Sequence, residues 1–308
     1  MRKQLCEALV VCAKNPDMIF LTGDLGFMAL EPLQASMGER FINAGVAEQN
    51  MISVAAALAK QSFQVWAYSI APFCYARPFE QIRNDITFHH LPVKLIGNGG
   101  GYGYGVMGPT HHAIEDYGIL LTLPHMRVYV PVFDEDLAEV VASAAASVDP
   151  AYIRIGRGEP PKGFSVPAYS PWRLLTDGAG PVVIAVGPLA GIYIEAFLQM
   201  PHAQRPKLWA IAELPLSKNP VPSVLLEQLN HATGLCIAEE HVAQGGFGSQ
   251  LVLWMTQRGI SIPKLQYLHA TQHSFDRYGS QPYLRAQSSL DVASMLAALQ
   301  QFAVSDHD

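Results

Sequence analysis

The stretch AEQNMISVAAALAKQSFQVWAYS (47–69) carries the repeating unit of the fold. Its first part, AEQNMISVAAALAKQS (47–62), is Ala-rich and apolar at helical spacing, and predicts a helix. After one residue comes QVWAYS (64–69), a short β-branched and aromatic run that predicts a strand. The same alternation continues in both directions. MIFLTGD (18–24) predicts a strand, and PFEQIRNDITFHH (78–90) a helix. LPVKLIGN (91–98), RVYVPV (127–132) and AYIRIGR (151–157) predict buried strands, with DEDLAEVVASAAASV (134–148) as a helix among them. Strand–helix alternation of this kind implies an open parallel sheet with helices on both faces. Between Gly158 and Pro171 the segment EPPKGFSVPAYSP loses periodicity and is read as a linker. A second α/β pattern follows in PVVIAVGP (181–188), KLWAIAEL (207–214), GLCIAEE (234–240) and a last helix near 289–302. The expected fold is α/β with two doubly wound domains, residues 1–160 and a smaller 175–308, joined by a linker at 161–174. There is no internal repeat and no low-complexity tract.

The chain has 308 residues, 50% of them hydrophobic and 15% charged. That is enough for two domains with cores of their own, and too apolar for disorder. A net charge of -6 argues against nucleic acid or an anionic membrane as the main partner. Cys6, Cys12, Cys74 and Cys236 lack the paired spacing of a zinc site or a disulfide framework, so they read as reduced thiols. The amphipathic start, MRKQLCEALVVCAKNPD, is too brief for a signal peptide or a membrane span. A soluble, cytoplasmic protein is the expectation.

The densest chemical signal is INAGVAEQNMISVAAALA (42–59), which puts Glu48 at the mouth of an apolar helix. By position alone, Glu48 is a first-turn carboxylate complementing the helix dipole. The segment resembles the "GVAEQNM" stretch of the transketolase, deoxyxylulose-phosphate synthase and 2-oxoacid dehydrogenase group. The resemblance implies that Glu48 hydrogen-bonds the aminopyrimidine ring of thiamine diphosphate. In that family the cofactor's imino nitrogen removes the thiazolium proton, which requires a proton donor at the ring nitrogen across the pyrimidine. A carboxylic acid in a dry pocket, where desolvation disfavours the anion, can be that donor.

WAYSIAPFCYARPFEQIRND (66–85) is similar to the family segment in which an aromatic ring stacks on the pyrimidine ahead of a "QIR" helix. Phe73 aligns best with that ring, with Tyr68 and Tyr75 as alternatives. Any one of these aromatics is equally suited to ordinary core packing. GNGGGYGYGVMGPTHHAIEDYGIL (97–120) contains a decoy, because Gly103, Gly105 and Gly108 satisfy G-x-G-x-x-G. A dinucleotide fingerprint turns straight from its strand into a helix, whereas these glycines begin late and Pro109 follows at once. The segment resembles the transketolase "GPTH" stretch, which implies that His111 faces the substrate oxygens and assists proton transfer. His112, nearer the helix, is read as structural. CIAEEHVAQGGFGSQL (236–251) resembles the family's "EEH..GGFGS" segment, where tight glycines pack a helix on the sheet.

Two departures bear on substrate. Met107 stands where sugar transketolases carry an acid that reads a substrate hydroxyl, and a thioether cannot accept that hydrogen bond. A glycine near Gly99 replaces the family's phosphate-contacting histidine. Arg157 matches its anion-binding arginine, though a solvated strand end fits the position too. The resemblance covers essentially the whole chain, as a pyrimidine-binding domain and the transketolase C-terminal domain. It lacks the Gly-Asp-Gly…Asn signature whose Asp and Asn hold a divalent cation, usually Mg2+, and through it the diphosphate. Gly23-Asp24-Leu25 with Asn50 fails that pattern at its third position, and Asn50 already lies on the pyrimidine side. No metal ligand is therefore assigned to this chain.

The resemblance implies the subunit of a split transketolase moving a two-carbon ketol unit from a ketose donor to an aldehyde acceptor. That acceptor is expected to be a modified or deoxy sugar. The partner would be an N-terminal-half subunit carrying the diphosphate and Mg2+, in an α2β2 assembly. Two alternatives stay open. One is a 2-oxoacid-using synthase making acyloins or 1-deoxyketoses, or a dehydrogenase β-type subunit. The other is a non-catalytic scaffold, against which the joint presence of Glu48 and His111 argues.

Overall fold

A computed structural model describes residues 1–273 and 275–302. Its strands are β1 (Met18–Thr22), β2 (Phe41–Asn43), β3 (Gln64–Ile70), β4 (Lys94–Asn98), β5 (Arg127–Tyr129) and β6 (Ala151–Ile155), then β7 (Trp172–Thr176), β8 (Val182–Val186), β9 (Lys207–Ile211), β10 (Glu213–Leu214), β11 (Leu235–Val242) and β12 (Leu265–Ala270). They form a seven-stranded sheet in the order β10-β5-β6-β4-β3-β1-β2 and a five-stranded sheet in the order β12-β11-β8-β9-β7. The first sheet is parallel except for β10, and the second is parallel except for β7. The α/β class with helix-covered sheets is the one the alternation predicts.

Side-chain alternation along the strands separates three packed layers. Leu21, Val65, Ala67, Leu95 and Tyr152 face one way, into a core that also takes Val182, Ile184 and Val186 from the second sheet. Their neighbours Phe20, Trp66, Tyr68, Ile96 and Ile153 face the opposite way, onto Leu5, Leu9, Leu137 and Val140 of the two helices Arg2–Cys12 and Leu137–Ala146. Val183 and Ala185 face a third core with Tyr193, Phe197 and Met295. The inner faces of the two sheets thus share one core. Each fully buried Val, Leu or Ile contributes about 1.5–3 kcal/mol to holding it.

Three boundaries differ from the sequence reading, each for a local reason. The helix expected over 78–90 is α-helical only at Phe79–Gln81 and widens to a π-helix at Ile82–Thr87. There the Thr87 hydroxyl donates to the Arg83 carbonyl at 3.0 Å, and Phe88 N reaches the same carbonyl from five residues away. The segment 161–174 has no regular structure up to Pro171, but its last three residues already belong to β7. KLWAIAEL splits after Ile211, so that β9 stays in the second sheet while Glu213 and Leu214 pair antiparallel with Tyr129 and Val128 of the first. The Arg173–Asp136 pair adds a buried bond between the halves, with Nη1 2.8 Å from Oδ1.

Candidate active site

In the first sheet β1 lies between β2 and β3, so the winding direction reverses at β1/β3. Ligands of open α/β sheets bind outside the carboxyl ends of the strands at such a reversal. The segments that leave those ends are 44–48 after β2, 71–77 after β3, 99–111 after β4 and 156–157 after β6. They hold most of the residues singled out from sequence.

Glu48 opens the helix Glu48–Lys60, whose residues Met51, Ile52, Ala55, Ala56 and Ala59 are buried at helical spacing. Gly45 turns the chain into that helix at φ +71, where a side chain would be strained. Glu48 is only 5% exposed. Its Oε1 accepts a hydrogen bond from Arg77 Nη1 at 2.9 Å. The Glu48 carboxylate is therefore buried, with a cationic partner beside it. The Arg77 guanidinium also lies 3.8 Å from the centre of the Phe73 ring. Phe73 in turn meets His111 edge-on at 5.1 Å, and His111 lies 6.1 Å from the ring of Tyr104. Tyr104 OH accepts from Asn98 Nδ2 at 2.6 Å. A continuous line of side chains therefore runs from Glu48 to the glycine-rich segment.

His111 is half-buried, and Thr110 Oγ1 lies 2.9 Å from its Nδ1, which limits rotation of the ring. Burial, with Arg77 second, lowers its pKa below the ordinary histidine value, so the ring is neutral at pH 7 and able to take a proton. His112 is buried against the Gly105 carbonyl, 3.0 Å from Nε2. Tyr68 and Tyr75 are both core residues: Tyr68 packs on Phe20 and Tyr75 on Tyr152. Of the three aromatics, only Phe73 presents part of its ring to the site.

Met107 and Arg157 line a common cleft of about 430 Å³ with Arg2, Asn98, Tyr104 and Gln281. Met107 is 56% exposed. Beside Glu48 a second opening of about 450 Å³ is lined by Val46, Asn50 and Arg77. Asp24 accepts from Asn43 Nδ2 at 2.9 Å.

The floor of the glycine-rich segment comes from the second sheet. Glu240, on β11, accepts from Tyr102 N at 2.5 Å, Gln281 Nε2 at 3.0 Å and Arg285 Nε at 2.7 Å. Gly101 has φ +61, and a Cβ there would sit 2.6 Å from both Arg154 and Glu240. Its neighbour Glu239 accepts from Phe247 N at 2.8 Å and Gly248 N at 2.7 Å, at the start of the helix Phe247–Gln257.

Arg77, Arg2 and Tyr104 are site residues that the sequence reading does not single out. Arg77 stands inside the segment WAYSIAPFCYARPFEQIRND, among the aromatics. A lone cation between apolar residues is the available signal. Arg2 lies far in sequence from Asn98, Tyr104, Met107 and Arg157, and nothing local marks it.

Residues 1–162 match the family described as "Transketolase, pyrimidine binding domain", and the chain belongs to that family. It is 28% identical over 292 residues to one subunit of the apulose-4-phosphate transketolase of Phocaeicola vulgatus, covering 90% of this chain and 92% of the relative. It is also 28% identical over 303 residues to 1-deoxy-D-xylulose-5-phosphate synthase 1 of Geobacter sulfurreducens, there spanning 45% of the longer protein. Among solved structures, a split-gene transketolase described as an inactive beta4 tetramer superposes with a TM-score of 0.82 at 28% identity, over 99% of this chain and 98% of the other.

Proposed function

We propose that this chain is the pyrimidine-side subunit of a split, thiamine-diphosphate-dependent transketolase that transfers a two-carbon ketol unit to an aldehyde. The observation carrying this reading is the line Glu48–Arg77–Phe73–His111. It sets a buried carboxylate, a partly bared aromatic face and a neutral imidazole along one edge of the sheet. The aminopyrimidine fits these residues, because it needs a carboxyl group at its ring nitrogen and an aromatic ring on its face. The bound cofactor would supply the carbanion chemistry that breaks and makes the carbon–carbon bond. Glu48 would hold the proton at the pyrimidine ring nitrogen, and Phe73 would fix the ring. Arg77, lying on the Phe73 face, would have to swing aside. His111 would pass protons to and from substrate oxygens through Nε2, since Thr110 occupies Nδ1. Arg2 and Arg157 give the neighbouring cleft two cations suited to an anionic substrate. The Phocaeicola vulgatus relative is named for a ketose phosphate, which fits such a cleft.

The diphosphate and its Mg2+ would be held by a partner subunit, to which Phe27, Met28 and Val46 offer exposed apolar side chains beyond β1 and β2. The test is calorimetry with thiamine diphosphate and Mg2+, on this chain alone and with an N-terminal-half subunit. No tight binding is expected alone, and binding with turnover when the two are mixed. Tight Mg2+-dependent binding by this chain alone would overturn the split arrangement.

Met107 sets a second expectation. In the assembled enzyme, aldehydes deoxygenated or modified next to the carbonyl should be better acceptors than common aldose phosphates. Met107→Asp should shift preference toward hydroxylated acceptors by about 1.5–3 kcal/mol, the worth of one hydrogen bond to a charged group. The shift is read as a ratio of kcat/KM values over a panel of hydroxy and deoxy aldehydes. An unchanged ratio would mean that Met107 does not meet the substrate.

A further inference from the structure

At the opposite ends of the same strands, three loops bring together a different set of side chains. His90 precedes β4, His125 precedes β5 and Asp149 precedes β6. The His90 and His125 rings stack at 3.9 Å with 12° between their planes. His90 Nε2 lies 2.8 Å from Asp149 Oδ1. One donor atom from each of the three residues falls within 4.8 Å of the others, and among the described residues this is the cluster of His, Cys, Asp or Glu that reaches such spacing. Five-residue strands at about 3.3 Å per residue separate this cluster from the candidate active site by about 16 Å.

We propose that His90, His125 and Asp149 form a binding site for a Zn2+-type divalent cation, which clamps the leading ends of β4, β5 and β6. Two imidazole nitrogens and one carboxylate oxygen are the borderline donors that Zn2+ takes, whereas Mg2+ and Ca2+ prefer oxygen alone. Three protein ligands leave the fourth tetrahedral position to water.

The backbone that carries Asp149 is fixed from behind. Lys94 Nζ donates to the carbonyls of Ser147 at 2.8 Å and Asp149 at 2.6 Å, and Asp149 N donates to Ser147 Oγ at 3.1 Å. Both histidines hold left-handed backbone, φ +52 at His90 and +65 at His125, which non-glycine residues seldom adopt. Tetrahedral Zn2+ wants its donors about 3.3 Å apart, from bonds of about 2.0–2.1 Å. Imidazole lone pairs lie in the ring plane, so the two exposed rings must turn out of their stack for a nitrogen of each to converge with Asp149 on one ion. Lys218 is the competing charge: its ammonium donates to Asp149 Oδ2, leaving Oδ1 to face His90. The Lys218 side chain is partly exposed and on a flexible stem, so it can turn to solvent when the cation binds.

The experiment uses the full, untagged chain freed of metal, titrated with zinc chloride against a chromophoric chelator and separately with Co2+ to read the ligand-field bands. One Zn2+ per chain with a Kd below about 1 µM is expected, with Co2+ bands of a four-coordinate nitrogen and oxygen site lacking thiolate charge transfer. His125→Ala and Asp149→Asn should each weaken binding at least tenfold. Lys218→Met should leave it as tight or tighten it several-fold. Circular dichroism of each apo variant separates lost ligands from lost fold, and His125→Ala is the safer variant because that ring is exposed. Zn2+ should also raise the thermal midpoint of the wild type and not of His125→Ala. The proposal is overturned if stoichiometric binding is absent, if it survives both ligand substitutions in folded protein, or if Lys218→Met weakens it as they do.

Discussion

Glu48→Gln in the assembled enzyme should slow exchange of the cofactor's thiazolium proton by about 10²-fold or more, the usual loss when an acid–base group is removed. The amide keeps the size of the side chain and can still hydrogen-bond, but it cannot hold and return a proton at the pyrimidine ring nitrogen. Folding should be little affected, because the helix keeps Met51, Ile52 and Ala55 in the core. Arg77→Gln is the control. Glu48 and Arg77 share one hydrogen bond, so a purely structural pair would respond alike to either change. A proton-holding Glu48 would instead show slow exchange only when it is itself replaced. The readout is deuterium exchange followed by rapid quench, with partner, Mg2+ and cofactor present. Exchange at the wild-type rate in Glu48→Gln would reduce Glu48 to a helix-terminus carboxylate held by Arg77.

The parts of the fold readable from sequence are those whose burial leaves a periodic trace. β3, β4, β6 and β8 are almost wholly buried, and each carries a short, mostly apolar or aromatic stretch, unbroken in β8 and interrupted by Ser69 in β3, by Lys94 and Asn98 at the ends of β4 and by Arg154 in β6. β2 has three residues, two of them exposed, and β12 is half-buried nearly throughout, so neither leaves a pattern. The break after Ile211 is also silent, because both fragments are apolar and only their hydrogen-bond partners differ. There the chain crosses between sheets, with Val130 N donating to the Ala212 carbonyl at 2.7 Å. Glu48 could be singled out because the stretch that carries the family resemblance, GVAEQNM, is contiguous in sequence. Arg77, Arg2 and the His90–His125–Asp149 cluster depend on strand order, which brings distant loops to one edge. A single sequence does not express that order.

Glu240→Ala should destabilise the chain by about 3–5 kcal/mol, the usual penalty for removing one member of a buried ion pair. Burial by itself would raise the Glu240 pKa, but Arg285, Gln281, Arg154 and the Tyr102 amide outweigh it and hold the group below the ordinary carboxylate range. Without the carboxylate, the Arg285 guanidinium loses its 2.7 Å partner and Tyr102 N is left buried without its acceptor. Glu240→Gln keeps the shape and an acceptor oxygen, so its loss should be smaller. The pH dependence follows from the direction of the shift. A depressed carboxylate stabilises the fold above its unfolded value of about 4.5, and that stability disappears as pH falls through the lower folded value. The gap between wild type and Glu240→Gln should therefore be full at pH 7 and narrow below about pH 4.5. Urea unfolding at a series of pH values measures it, provided the transition is cooperative. Amide hydrogen exchange supplies a local reading. If Glu240 anchors the glycine-rich segment, protection should fall at residues 101–113 in Glu240→Gln before it falls in β3 or β4. Equal loss in all three would make Glu240 a general stabiliser of the shared core. Selective loss would make it the residue through which the second sheet holds the cleft of Met107 and Arg157 in shape.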